Sequence, residues 1–129
     1  MATWDTLRNY IKASYIIKSD NGNSMTLGFS FQDGRSQDVL LQKVIFRDEE
    51  WVNIGTAVCN INELDHTEAL RRNFAMVVGK LSLYKEVVVF EHALPLKDLD
   101  IDEFEIPFRV IREVGDDLEK EFAGGVDRF

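Results

Sequence analysis

Between positions 98 and 105 the chain carries Asp98, Asp100, Asp102, Glu103 and Glu105, and carboxylates at alternate positions are what a hard cation such as calcium takes as ligands. The spacing does not complete a calcium loop. A loop opening at Asp98 needs glycine at its sixth position and a bidentate glutamate at its twelfth, and Glu103 and Arg109 stand there. The alternative use of these acids is a helix start, with Asp100 or Asp102 as the cap and the neighbouring carboxylates at the positive end. The two histidines, His66 and His92, have no Cys or His at ligand spacing and nothing in the sequence brings them together, so solvated rings are expected rather than a zinc site or a dyad. Ser14, Ser24, Ser30, Ser36 and Ser82 lie outside any glycine-flanked elbow. No glycine-rich run opens a helix after a strand, which leaves no loop to cradle phosphate. Arg71 and Arg72, on the outer side of a helix in an acidic protein, read as solvated charges rather than an anion site. The single cysteine, Cys59, lies in the run Val58, Cys59, Asn60, Ile61 and reads as a small core hydrophobe. No catalytic, cofactor-binding or metal-ligating residue is assigned, no cofactor is expected, and a non-enzymatic role is the reading. An enzyme would need a pocket built from dispersed residues.

The elements that would position any such group follow from composition and periodicity. With 129 residues, 45% of them hydrophobic, one α+β domain over 1–129 can bury a core without disulfides or metals. A formal charge of -8 and a pI near 4.7 argue against nucleic acid as a partner, since phosphate binding rests on Lys and Arg. The start of the chain has no basic segment followed by an apolar one, and no apolar run approaches a membrane span, so a soluble cytoplasmic protein is expected. Trp4, Leu7, Ile11 and Tyr15 recur at helical spacing behind Thr3 as N-cap. Met25, Leu27, Phe29 and Phe31 alternate with polar or small residues, the period of a strand buried on one face. Asp33-Gly34 then turns the chain into a second strand, Ser36 to Phe46. Beyond the charged turn Arg47 to Glu50, a third strand spans Trp51 to Ile61, with Val52, Ile54 and Val58 on one face and Ala57 and Cys59 on the other.

Asp65 caps a helix from His66 to Val78 that Gly79 closes. Leu70, Phe74, Val77 and Val78 form its core stripe, and Ala69 and Met76 widen that stripe around one flank. Lys80 to Tyr84 and Val87 to Phe90 make a further hairpin, the valine run pointing to a strand covered on both sides or placed centrally, and Pro95 ends regular pairing. The last helix shows a seam of Phe104, Phe108, Ile111, Gly115, Leu118 and Phe122; it starts near Asp102, which keeps Pro107 close to its first turn. Glu113, Asp116, Asp117, Glu119 and Glu121 are placed on its outer, solvated face, and a frayed tail begins near 124. The order is helix, three-stranded antiparallel meander, helix, two strands, long helix.

That order resembles the type III secretion chaperone-like fold, and within it the small bacterial YbjN-like domains. The likeness runs from the helix Trp4 to Tyr15, through the Asp33-Gly34 hairpin, the stretch Glu68-Ala69-Leu70-Arg71-Arg72-Asn73-Phe74, the hairpin Lys80 to Phe90 and the Leu94-Pro95-Leu96 exit, to a closing helix with Gly115-Asp116-Asp117-Leu118. It is a likeness of topology rather than of a residue signature, and it carries no catalytic positions. The chaperone resemblance implies a secretion chaperone-like sandwich and a small acidic homodimer that holds an extended segment of a client protein on an apolar surface. The YbjN-like resemblance implies a domain of uncharacterised role, with regulation as one reading. Candidate partner or dimer contacts are Ala69, Asn73 and Met76 on the second helix, with Phe46 and Trp51 on the sheet, because apolar surface left uncovered by helices is what a protein partner uses.

Overall fold

A computed structural model describes residues 1–124, and the expected tail at 125–129 lies outside them. The chain is α+β, with three helices and six antiparallel strands rather than five: α1 (Trp4–Ser14), β1 (Ile17–Asp20), β2 (Ser24–Ser30), β3 (Ser36–Phe46), β4 (Glu49–Asn60), α2 (His66–Ala75), β5 (Lys80–Tyr84), β6 (Val87–Pro95) and α3 (Ile101–Phe122). The strands form one sheet in the order β1-β2-β3-β4-β6-β5. β1 is the strand that periodicity misses: Ile17-Lys18-Ser19-Asp20 has no apolar alternation, and only its pairing to β2 defines it.

Helices α1 and α3 cover one face of the sheet, bringing Trp4, Leu7 and Ile11 of α1 and Phe104, Phe108 and Ile111 of α3 onto Leu27, Val39, Leu41, Val52, Ile54 and Phe90. Thr3 caps α1 by accepting from the Thr6 N–H, and Asp100 caps α3 by accepting from the Glu103 N–H. The acids at 98–105 thus include a helix cap, as their spacing suggested. Pro107 is the seventh residue of α3 and buried, so it sits deeper than the first turn, and the carbonyl of Glu103 forgoes its usual partner there. The expected faces of β4 change at its C-terminal end. Ala57 pairs with Val89 and Cys59 with Val88, so Val58 is an extra residue, and the resulting bulge turns both Val58 and Cys59 into the core.

The acidic outer face expected for α3 is only partly there. Asp116 and Glu119 are buried against Arg35, whose Nε lies 3.0 Å from Asp116 Oδ1 and whose Nη2 lies 3.2 Å from Glu119 Oε1. Beside them Gly115 lets α3 approach β4 so closely that a Cβ on it would lie 2.5 Å from the Thr56 methyl. Thr56 Oγ1 donates to the Asp38 carbonyl and accepts from Gln37 Nε2, both at 2.7 Å, while Gln37 Oε1 is buried with no donor among the described residues.

Candidate protein-docking surface

Helix α2 is capped by Asp65, which accepts from the Glu68 N–H, and it ends at Ala75, with Met76 already extended. It contains no fully buried residue. Three of the four residues of the expected core stripe face away from the core, Leu70, Phe74 and Val77 being 71%, 96% and 95% exposed, and only Val78, beyond the end of the helix, is half-buried. Ala69 and Met76, assigned to the flank, are the residues that pack against the core. The reversal has a local cause in Asn73, which shares a helical face with Ala69 and Met76. Its Oδ1 accepts from the Leu81 N–H at 2.6 Å and its Nδ2 donates to the Leu81 carbonyl at 3.0 Å. One amide therefore satisfies both outward-facing backbone groups of a β5 residue, and holding that contact rotates Leu70 and Phe74 outward. The sequence signal was available, since Asn at this register is a poor helix-interior residue with a donor and an acceptor to place. Arg72 is likewise not a free charge: it pairs with Glu68 at 3.1 Å and with Glu121, and its guanidinium lies 4.7 Å from the Phe122 ring centre.

Between α2 and β5 runs an apolar groove of about 260 Å³, walled by Leu64, Ala69 and Leu70 on one side and Leu81, Leu83 and Val88 on the other. Leu83 is half-exposed at its rim, and Phe74 stands beside it in solvent. The opposite face of the sheet carries no helix among the described residues. Leu40, Gln42, Asn53, Ala57 and Val89 line a shallow depression of about 490 Å³ there. Val87 and Val89 are half-buried on that face, so β6 is covered on one side only. At one end of the same face Phe46 and Trp51 meet edge to face, ring centres 5.8 Å apart, and Trp51 lies opposite Val44 on β3 and Pro95 on β6. Phe46 is exposed. The Trp51 Nε1 is buried with no acceptor among the described residues. The five sequence candidates therefore fall into two places: Ala69, Asn73 and Met76 hold α2 down, while Phe46 and Trp51 belong to the open sheet face.

The remaining polar candidates are dispersed. His66 opens α2, whereas His92 is half-buried on β6, its Nδ1 accepting from the Gly79 N–H at 3.0 Å, and burial pulls its protonation below the ordinary imidazole range. Glu105 accepts from the hydroxyls of Tyr10 and Tyr15, tying α3 to α1; burial first, then that carboxylate, pushes the Tyr10 hydroxyl up to about 12. No group of three or more His, Cys, Asp or Glu is arranged to hold a metal among the described residues. No helix among them is long and apolar enough to cross a membrane. No protein-family model matches this sequence, and no curated protein matches it.

Proposed function

We propose that this protein is a non-enzymatic protein-binding domain that pairs with a second copy through α2 and presents the open sheet face to an extended segment of a partner. The observation that carries this reading is the outward stripe of Leu70, Phe74 and Val77 beside the groove floored by Leu81, Leu83 and Val88. A large ring in solvent next to an apolar slot is a self-complementary arrangement: a two-fold axis near the middle of α2 would put Phe74 of each copy over the groove of the other. The likeness in element order to secretion chaperones, and the acidic surface that keeps a binding protein soluble, support the same role. The dispersal of histidines and carboxylates supports binding over catalysis.

Phe74→Glu tests the reading. Phe74 makes no core contact, so the variant should keep the thermal midpoint of the parent while its self-association, followed by sedimentation velocity across a dilution series, weakens by about thirtyfold or more, the scale of an aromatic hot spot. Met76→Glu is the wrong probe, because Met76 packs against the core. A parent that sediments as a monomer at every concentration, or a Phe74→Glu protein that associates like the parent, would remove α2 from the interface.

A further inference from the structure

The proposed docking surface hangs on a helix with few attachments. α2 buries no residue completely; Arg72 ties it to Glu121 and Phe122 of α3, and beyond Ala69 and Met76 its hold on the sheet comes from the Asn73–Leu81 pair and from whatever fixes the connection Met76 to Gly79 that leads into β5. That connection is fixed at Gly79. The residue has φ +87°, and a Cβ on it would lie 2.5 Å from the Phe90 ring, so its backbone is seated directly against the core. Its N–H donates to His92 Nδ1 at 3.0 Å.

We infer that the Gly79–His92 hydrogen bond is a proton-sensitive latch that holds the C-terminal end of α2, and with it Val77 and Phe74, in the docking position. The regulatory part of this inference rests on the function proposed above; the latch itself does not. Nδ1 can accept only in the neutral ring whose proton is on Nε2. Protonation turns that nitrogen into a donor facing a second donor, and the bond is lost. The ring's surroundings offer no compensation. Across the ladder its neighbour on β4 is the apolar Ile54. Glu91 of β6 and Lys80 of β5, the charged groups nearest in register, point to the opposite face and pair with each other at 4.0 Å. Among the described residues no acid or base of α1, α3, β4 or β5 contributes to the downward shift of His92, which comes from burial alone. The folded protein therefore binds this proton less tightly than the unfolded chain, whose imidazole has the ordinary value of 6.5. The stabilising contribution is complete above that value and is lost as pH falls through the lower value of the folded ring.

Hydrogen exchange of the free protein, with protection factors corrected for the intrinsic pH dependence, tests the latch. His66, the other histidine, opens α2 and is replaced by Gln in every protein tested, so that the response belongs to His92. Between about pH 7.5 and about pH 5 the protection of residues 74–81 should fall about fivefold, the worth of one hydrogen bond, while β2 and β3 stay unchanged. His92→Asn places a side-chain oxygen where Nδ1 stands and holds no proton, so its protection should not depend on pH. Protection that is flat with pH in the parent, or that falls equally in His92→Asn, overturns the latch. Exchange decides this whether or not copies associate: a pH response in a protein that stays monomeric supports the latch and removes only the docking surface that it would control.

Discussion

At the level of single residues, the approach of Gly115 to Thr56 sets how closely α3 lies on the sheet. Ala is better than Gly in a helix interior by about 1 kcal/mol, yet the added methyl would meet the Thr56 methyl at 2.5 Å. Gly115→Ala should therefore destabilise by about 1–3 kcal/mol, an overpacking cost. In a Thr56→Ser background, which keeps the hydroxyl and removes the methyl, the same change should be neutral or stabilising. A urea-unfolding double-mutant cycle checks this, and equal effects of Gly115→Ala in both backgrounds would show that the helix spacing is set elsewhere. The seam holding Gly115 was legible from its four- and three-residue spacing. Asp116 and Glu119 were not, because acids one and four positions past a core glycine look solvated until Arg35, 81 and 84 positions away in the chain, is known to meet them. Once buried, they depend on that guanidinium, since an unpaired buried carboxylate is strongly destabilising. The candidate site suffered in a similar way: the identity of the apolar residues of α2 was clear, but which of them face out depends on one amide, Asn73, finding a strand edge.

Among the elements, β2 was readable to within a residue or two because a half-buried strand writes its burial into period two, and β3 because the Asp33-Gly34 turn sends the chain back along β2. β1 has too few apolar residues to write anything. It is held by pairing with β2 and by Lys18, which crosses Gly28 to reach Asp38 on β3 at 2.8 Å. Turns divide in the same manner. The charged turn expected over Arg47 to Glu50 is shorter than that: Arg47-Asp48 alone make a two-residue hairpin turn, with φ of +51° and +63°, and Glu49 and Glu50 already belong to β4. Asp tolerates that region of backbone space but Arg does not, whereas Asn-Gly suits both positions. Replacing Arg47-Asp48 by Asn-Gly should raise stability by about 0.5–1 kcal/mol in equilibrium unfolding. A loss instead would mean that Arg47, which lies over the Phe46 ring at 5.6 Å, contributes more than its turn geometry costs.

For the molecule as a whole, the division of labour is between a helix-clad sheet face that holds the core and two apolar regions at its margin, the α2 groove, whose walls include the core residues Leu64, Leu81 and Val88, and the bare sheet face. The strand order also fixes a folding route. β1 to β4 are joined neighbour to neighbour, and β5 and β6 form a hairpin of their own; only β4 and β6 pair across an intervening stretch, the one containing α2 and β5. Every other strand pair can close locally, so the entropic cost of ordering the chain concentrates in bringing the second hairpin onto β4. Truncating a side chain in that seam, as in Val89→Ala opposite Ala57, should slow refolding. An equally destabilising truncation at Val39 in β3 should act on the unfolding rate instead. Stopped-flow chevrons of the two variants would read this directly, with a fast folding arm for Val89→Ala as the contrary result. α2 thus has a kinetic meaning apart from any partner: it is the tether whose length sets how long the two halves of the sheet search for each other.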